Sequence, residues 1–175
     1  KSAPDYEANG SFAGNNAYFV AVNVSDGTDA DTQTITVTVT DVDDPPVVAN
    51  GIGDVIATED DGDQTIDLSN VFNDVDDANA SITKTVLSNT NAGLVTASIV
   101  GDVLTLDYQT DQNGSATITV RATSNGQAVD DGFDVTVNGA DDPPVVANGI
   151  GDVIATEDDG DQTIDLSNVF NDVDD

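Results

Sequence analysis

The sequence predicts an all-β fold built from β-sandwich repeats in tandem, on two observations. Residues 43–77 recur letter for letter as residues 141–175, which sets a repeat offset of 98 residues. A unit of this length can bury its own core, whereas solenoid units are shorter and depend on their neighbours. Short runs of β-branched and apolar residues also alternate with Thr, Asp and Ser and end at Gly, Asn or Asp, which is the period of strands. Each repeat is therefore predicted to be a domain.

The offset divides the chain into three parts. Residues 45–142 form one complete repeat, residues 1–44 the C-terminal part of an earlier repeat, and residues 143–175 the N-terminal part of the next. A partial repeat lacks the strands that would cover its hydrophobic face. We therefore expect the two partial repeats of neighbouring molecules to complete each other by strand addition.

The complete repeat contains seven predicted strands. They are Asp54–Thr58, Gln64–Leu68, Ser81–Leu87, Val95–Val100, Val103–Tyr108, Ala116–Thr123 and Phe133–Val137. Hairpin turns are predicted at Asp26-Gly27, Gly101-Asp102, Asn113-Gly114 and Asn125-Gly126, where Gly and Asn tolerate the left-handed backbone that tight turns need. This density of strands is typical of an Ig-like Greek-key sandwich.

Alternation within the strands predicts which side chains face the core. Ile118, Val120 and Ala122 are expected to face it, with Thr117, Thr119 and Arg121 in solvent. The first partial repeat shows the same pattern at Val20, Val22, Val24, Ile35, Val37 and Val39. Lys84 shares a face with Ile82 and Val86, and its amine either reaches solvent past the core or forms an isopeptide bond to an Asn or Asp.

The composition excludes several classes of function. The chain has 34 acidic residues against three basic ones, for a formal net charge of −31, so we expect no nucleic-acid or anionic-membrane partner. It has no Cys, His, Met or Trp, which removes thiol and imidazole chemistry, and we expect no enzyme. No apolar stretch approaches the length of a membrane span, so membrane insertion is not expected, and no signal peptide appears, as expected of an internal segment of a longer protein.

Acidic clusters recur where strands are expected to end. Only three acidic residues are Glu, and the rest are Asp, a residue typical of turns and calcium loops. In chain order the clusters are Pro4-Asp5-Tyr6-Glu7, Asp26-Gly27, Asp41-Val42-Asp43-Asp44-Pro45-Pro46, Glu59-Asp60 and Asp74-Val75-Asp76. This order resembles the cadherin superfamily, in which D-x-E, a D-x-N-D linker followed by Pro, and D-x-D jointly bind calcium. Dystroglycan-type cadherin-like repeats of large bacterial surface adhesins are the nearest resemblance.

The resemblance implies two calcium-binding junctions between repeats. At the first, the implied ligands are Asp5, Glu7, Asp41, Asp43, Asp44, Asp74 and Asp76. At the second they are Glu59, Asp107, Asp141, Asp142, Asp172 and Asp174. Gln109 and Gly139 replace two charged ligands of the family pattern there, so we expect fewer ions or weaker binding. Asp43 also departs from the pattern, which has Asn, and Ser124 or Asn125 stands where another ligand Asp is common.

Calcium chemistry agrees with the resemblance, and a second interpretation remains open. Ca²⁺ takes six to eight oxygen ligands, and crowded carboxylates repel one another unless a cation lies among them. The alternative is that these Asp residues only shape turns and discourage aggregation. A calcium loop of the EF-hand type is not predicted, because a loop begun at Asp74 lacks the required Gly and Glu.

The predicted function is structural or adhesive. The sequence indicates a Ca²⁺-rigidified repeat of a large secreted or cell-surface bacterial protein, whose partners are neighbouring repeats and, through homophilic contact, other copies. The alternative is a carbohydrate-binding module attached to a polysaccharide-degrading or adhesin protein. The absence of Trp disfavours it, since sugar rings stack on exposed aromatic planes, whereas Tyr6 and Tyr108 beside the implied ligands favour it.

Overall fold

The structure is a computed structural model that describes residues 6–8, 11 and 14–174. The strands of the first partial repeat are β1 (Ala17–Ser25) and β2 (Ala30–Thr38). Those of the complete repeat are β3 (Val47–Val48), β4 (Val55–Thr58), β5 (Gln64–Asp67), β6 (Phe72–Asn73), β7 (Thr83–Asn89), β8 (Val95–Val100), β9 (Val103–Tyr108), β10 (Gly114–Ser124) and β11 (Gln127–Asn138). The last partial repeat has β12 (Val145–Val146) and β13 (Phe170–Asn171).

The complete repeat is a β-sandwich, as the sequence predicts. One sheet has four strands in the order β4-β11-β10-β7, and the other has three in the order β5-β9-β8. β4 lies parallel to β11, so the first long strand of the repeat pairs with its last. β9 pairs antiparallel with both β5 and β8. The all-β class is confirmed.

The seven predicted strands of the complete repeat are all present, and apart from the start of β11 their ends lie within two residues of the predicted ones. β11 begins at Gln127 rather than Phe133, because its first half has only Ala128 and Val129 as apolar residues and these do not alternate with polar ones. β7 begins at Thr83 rather than Ser81, since Asn79–Ser81 form a turn of 3-10 helix. The two-residue strands β3 and β6 pair with each other and are too short for any periodicity to predict.

The chain forms two compact units whose bounds cross the repeats. Unit 1 contains Lys1–Gly51, Ser69–Lys84 and Arg121–Asp130, and unit 2 contains Ile52–Leu68, Thr85–Val120 and Asp131–Asp175. The buried apolar residues of unit 1 are Val71, Phe72, Ile82 and Ala122. Those of unit 2 include Leu68, Leu94, Leu104, Leu106, Ile118, Val120, Val135 and Val137. Burial of Ile118, Val120 and Ala122 confirms the predicted face of β10.

The turn between β10 and β11 has the predicted chemistry. Asn125 and Gly126 have φ angles of 46° and 86°, so both adopt the left-handed backbone of a type I′ turn. In the hairpin of the first partial repeat, β1 pairs with β2 in the register that begins at Ala17 opposite Thr38. There Asp26 Oδ1 accepts hydrogen bonds from the backbone N–H groups of Thr28 and Asp29, at 2.9 Å each. The predicted Asp-Gly turn is thus present.

The prediction that the β1–β2 hairpin buries one face differs from what the structure shows. Val20, Val22 and Val24 on β1, and Ile35 and Val37 on β2, are exposed, although their alternation matches that of the complete repeat. The alternation of apolar and polar residues indicates which side chains share a face of a strand, but that face becomes buried only if a second layer covers it. The described residues supply no second layer for this hairpin.

Lys84 lies on the core face, as its strand position predicts. The side chain is buried, and its Nζ donates to the backbone carbonyl oxygens of Asn79 at 3.5 Å and Ile82 at 3.4 Å. The amine therefore satisfies part of its hydrogen-bonding capacity inside unit 1 instead of reaching solvent. An isopeptide bond at Lys84 stays a prediction.

Within the described residues, the structure contains no helix with the length and apolarity that crossing a bilayer requires.

Candidate metal centres

The first centre lies in unit 1 and draws on three separate segments of chain. Glu7 precedes β1, Asp41 follows β2, and Asp76 follows β6. One carboxylate oxygen from each residue lies within 4.8 Å of those of the other two. The cleft around them is also lined by Tyr6, Gly14, Asn15, Asn16 and Val75. Three of the seven ligands predicted for this junction therefore converge at one point.

The backbone around Asp76 holds this centre together. Asp76 Oδ2 accepts a hydrogen bond of 2.6 Å from the backbone N–H of Asp44, which lies in the linker after β2. Asp74 Oδ1 accepts from the backbone N–H groups of Asp76 at 3.0 Å and Asp77 at 3.2 Å. These bonds fold the D-x-D segment into a turn and tie it to the end of the preceding repeat.

The environment of Asp74 is a second observation that favours a bound cation. The residue is 5% exposed, and its Oδ2 is buried without a hydrogen-bond partner among the described residues. An isolated buried carboxylate oxygen costs free energy unless a donor or a cation compensates it. Oxygen donors of this kind suit Ca²⁺, so the residues present fit the ion that the sequence implies.

Asp43 is not among the three residues that converge here, and its carboxylate is bound by side chains at the β10–β11 turn. Its carboxylate accepts hydrogen bonds from Asn125 Nδ2 at 2.7 Å and from Gln127 Nε2 at 2.9 Å. These two side chains, Asn125 first, hold the pKa of Asp43 below its usual value. Asp77, which the sequence analysis did not single out, accepts similarly from Ser124 Oγ at 2.6 Å and Asn125 Nδ2 at 2.8 Å. The β10–β11 turn thus occupies two carboxylates that lie near the linker.

Asp5 is the remaining predicted ligand of the first junction, and it lies outside the described residues. Asp44 contributes its backbone N–H, as above, and its side chain is exposed.

The second centre lies in unit 2 and differs in part from the predicted set. Carboxylate oxygens of Asp60, Asp111 and Asp142 lie within 4.8 Å of one another. Of these only Asp142 was predicted as a ligand. Asp60 follows β4 and Asp111 follows β9, and both have left-handed backbone, with φ angles of 64° and 55°. A hydrogen bond of 3.3 Å from the backbone N–H of Asp111 to Asp60 Oδ1 joins the two loops.

Asp142 lies among four other carboxylates. Burial is the largest cause of the raised pKa of Asp142. The negative charges of Asp60, Asp174, Asp111 and Glu59 raise it further. Its Oδ2 is buried and has no hydrogen-bond partner among the residues described. Its backbone N–H donates to Asp174 Oδ2 at 2.6 Å, which repeats the bond from Asp44 to Asp76 at the first junction.

The other predicted ligands of the second junction take different positions. Glu59 is buried, and its Oε1 accepts from the backbone N–H of Ala140 at 2.6 Å. Asp172 Oδ1 accepts from the backbone N–H of Asp174, which again forms a D-x-D turn. Asp107 lies on β9, where its Oδ2 accepts from Thr96 Oγ1 on β8. Asp141 is exposed in the linker.

Comparison with known proteins identifies the fold. A crystal structure of human protocadherin-24, repeats EC1-2, matches with a TM-score of 0.51 at 17% identity over 81% of this chain and 71% of that one. A mouse protocadherin-24 EC1-3 structure gives 0.48 at 16% identity, over 82% of this chain and 49% of that one. The chain therefore has a cadherin-like fold. No protein-family model and no curated protein sequence matches it.

An enzyme also appears among the similar structures. An endo-fucoidan hydrolase of glycoside hydrolase family 107 matches with a TM-score of 0.40 at 16% identity over 71% of this chain. The chain spans about a fifth of the length of the fucoidan hydrolases it matches, 19% for this one.

Proposed function

We propose that this chain is part of a tandem array of cadherin-like repeats of the dystroglycan type, in which Ca²⁺ bound at the junctions makes the array rigid. The array serves as a structural or adhesive segment of a large secreted or cell-surface bacterial protein. The single observation that carries the proposal is the convergence of Glu7, Asp41 and Asp76 within 4.8 Å. Two of these residues belong to one repeat and the third belongs to the next.

The electrostatics of the chain favour this proposal. With three basic residues and 34 acidic ones, the protein cannot neutralise its own carboxylate clusters. One of the three, Arg121, already pairs with Asp130 through two hydrogen bonds of 2.7 and 2.8 Å. A divalent cation would supply the missing positive charge and link segments that otherwise repel each other.

The mechanism that follows is mechanical. Without Ca²⁺, repulsion between Glu7, Asp41 and Asp76 opposes one fixed arrangement of the linker. With Ca²⁺, shared ligation holds the end of one repeat against the start of the next. Extracellular calcium modules bind with Kd of about 10⁻⁴ to 10⁻³ M, so calcium at about ten times Kd adds about 1.4 kcal/mol per site. We assign the chain no catalytic role.

Thermal unfolding and small-angle X-ray scattering test the proposal. Adding millimolar Ca²⁺ to the chelated native chain is expected to raise Tm by about 5 °C or more and to increase the maximum dimension. The double variant Asp41→Asn with Asp76→Asn should lose both effects, since Asn keeps an acceptor for the Asp44 N–H but removes two charges.

The matched control is Asp31→Asn with Asp63→Asn. Both residues are exposed, and the change in net charge is the same. This control should respond to Ca²⁺ as the native chain does. An equal response from the native chain and both double variants, or no response from the native chain, would contradict the proposal.

The carbohydrate-binding alternative rests on Tyr6 alone. Tyr108, the other tyrosine proposed for it, is buried and donates its hydroxyl hydrogen bond to Gln64 Oε1 at 2.9 Å, so its ring cannot stack on a sugar. Tyr6 is 39% exposed and lines the cleft of the first centre. Retention on insoluble polysaccharide that is lost in Tyr6→Ala would favour this function over the structural one.

A further inference from the structure

The first long strand of the complete repeat is joined to its last by a short parallel ladder. β4 pairs with β11 from Val55 opposite Val135 to Thr58 opposite Asn138. In the described part of the chain, β11 is the only strand partner of β4. We call residues 54–59 and 134–140 together the seam. The seam therefore holds the start of the repeat to its end.

The inner face of the seam is apolar and closed to solvent. Val55 and Ala57 on β4 are 6% and 8% exposed, and Val135 and Val137 on β11 are at most 2% exposed. Ile56, on the opposite face of β4, is 75% exposed. Separating the two strands would therefore expose buried apolar side chains as well as break main-chain hydrogen bonds.

A carboxylate holds each end of the seam. At the N-terminal end, Asp54 Oδ1 accepts a hydrogen bond of 2.9 Å from the backbone N–H of Asp134. At the C-terminal end, the buried Glu59 accepts from the backbone N–H of Ala140 through Oε1 at 2.6 Å. The backbone N–H of Glu59 also donates to the carbonyl oxygen of Asn138 at 2.9 Å. Because hydrogen bonds to a carboxylate are stronger than those between neutral groups, both ends of the ladder are reinforced.

The strand directions decide how the seam responds to tension along the array. Residues 45–142 continue into neighbouring repeats on both sides, so tension in the chain enters before β4 and leaves after β11. Because the two strands are parallel, this tension pulls β4 toward its N-terminal end and β11 toward its C-terminal end. The strands are then pulled past each other, and the four register pairs share the force. Pulling apart the same ends of both strands would instead break the pairs one at a time.

We propose that the complete repeat is a tension-bearing module, in which the seam resists shear when the array is stretched. This role rests on the proposed function only in that a tandem array transmits force along its length. It does not rest on bound Ca²⁺, because the hydrogen bonds and apolar contacts of the seam join protein groups directly. The resistance to force therefore persists in a chelator.

Optical tweezers on the full chain in a chelator compare two directions of pulling. The chain has no native cysteine, so handles attach only at introduced ones. Gly53→Cys with Gly149→Cys applies tension before β4 and after β11, and it bypasses the two-residue pairing of β3 with β6. Gly62→Cys with Gly149→Cys applies tension at the C-terminal ends of both strands. A Cβ atom at any of these three glycines meets no heavy atom within 4 Å beyond its chain neighbours.

The handles at Gly53 and Gly149 are expected to need about twofold or more the unfolding force of those at Gly62 and Gly149, because they load four register pairs together. The gain in contour length should match the residues between the two handles, which confirms that the repeat was folded before each pull. Equal unfolding forces for the two pairs of handles would overturn the proposal. Since no Ca²⁺ is present, failure of the proposed calcium centres would leave this result unchanged.

Asp54→Ala tests the carboxylate at the N-terminal end of the seam. It removes the acceptor for the Asp134 N–H, so the unfolding force should fall with the handle at Gly53. The force should not change with the handle at Gly62, from which the opposite end of the seam opens first. Asp54→Asn keeps an oxygen acceptor and should retain most of the native force.

Asp63→Ala is the matched control for Asp54→Ala. Both residues are exposed and both substitutions remove one negative charge, but Asp63 lies outside the seam. Asp63→Ala should therefore leave the unfolding force of the native chain unchanged with either pair of handles. Equal loss of force in the two variants, or no loss in Asp54→Ala, would overturn the proposal.

Discussion

At the scale of single residues, neighbouring amides and hydroxyls decide which carboxylates remain available to a cation. Asp43 accepts from Asn125 and Gln127, and Asp77 from Ser124 and Asn125, so both are engaged within the protein. Asp41 and Asp76 converge with Glu7 instead. The cadherin pattern that the sequence resembles has Asn where this chain has Asp43, and here two amide donors stabilise the charge of that Asp.

Asp142 shows the opposite environment, since burial and four negative neighbours raise its pKa. A carboxyl group whose pKa is raised in the folded state opposes folding when it is charged. Its unfavourable contribution is therefore present at neutral pH and disappears as the pH falls through the raised pKa.

Asp142→Asn is predicted to stabilise the metal-free protein and to weaken its calcium binding. In chelator at pH 7, Tm of the variant should exceed that of the native chain, and this difference should shrink as the pH falls through the raised pKa of Asp142. In millimolar Ca²⁺ at pH 7 the order should reverse, because the variant loses a charged ligand. Thermal melts over pH with and without Ca²⁺ measure both effects.

Asp107→Asn is the control for this prediction. Asp107 lies on the exposed surface of β9 beside Thr96. It should not show the reversal between chelator and Ca²⁺. If Asp107→Asn and Asp142→Asn behave alike, the effect comes from net charge and not from the second centre.

At the scale of elements, residues 43–77 and 141–175 have the same sequence in different surroundings. Comparing them shows which structure follows from the local sequence and which depends on long-range pairing. Both copies form the same short-range contacts, such as the backbone bond from Ala49 to Val71, which recurs from Ala147 to Val169. β4 and β5 form only in the first copy, where β11 and β9 supply partners. Turns therefore follow from the local sequence, whereas these strands depend on pairing.

The two copies provide a direct prediction for core energetics. Leu68→Ala is expected to destabilise the protein by about 2–5 kcal/mol, because Leu68 is fully buried. Leu166→Ala, in the same sequence context but half exposed, should cost less than about 1 kcal/mol. Urea unfolding measures the difference in the free energy of unfolding. Equal costs for the two variants would contradict the assigned burial.

Much of the fold could be predicted from alternation and turn residues, whereas the start of β11 could not. Its first half, residues 127–132, has no alternation of apolar and polar residues and extends as a strand through its pairing with β10. The resemblance of the acidic clusters to the cadherin pattern implied Asp41 and Asp76 as ligands, and the structure brings both together with Glu7. Asp60 and Asp111 were not predicted as ligands, since they meet across 51 residues through left-handed turns, and only the adjacency of Asp60 to Glu59 hinted at a role.

At the scale of the whole molecule, the charge balance makes a cation the central requirement of this account. A net charge of −31 on 175 residues opposes compaction, and the repeat concentrates that charge at successive junctions. The hydrogen bond from Asp44 to Asp76 and its counterpart from Asp142 to Asp174 have the same length of 2.6 Å. The same turn thus recurs at each junction, beside the carboxylates that we propose bind Ca²⁺.

Calorimetric titration of Ca²⁺ into the chelator-free chain tests this central claim most directly. The account predicts saturable binding with Kd of about 10⁻⁴ to 10⁻³ M or tighter, and loss of one class of sites in Asp41→Asn with Asp76→Asn. The Asp31→Asn with Asp63→Asn control should reproduce the native isotherm. Absence of saturable binding in the native chain, or an unchanged isotherm in the Asp41 and Asp76 double variant, would contradict the account.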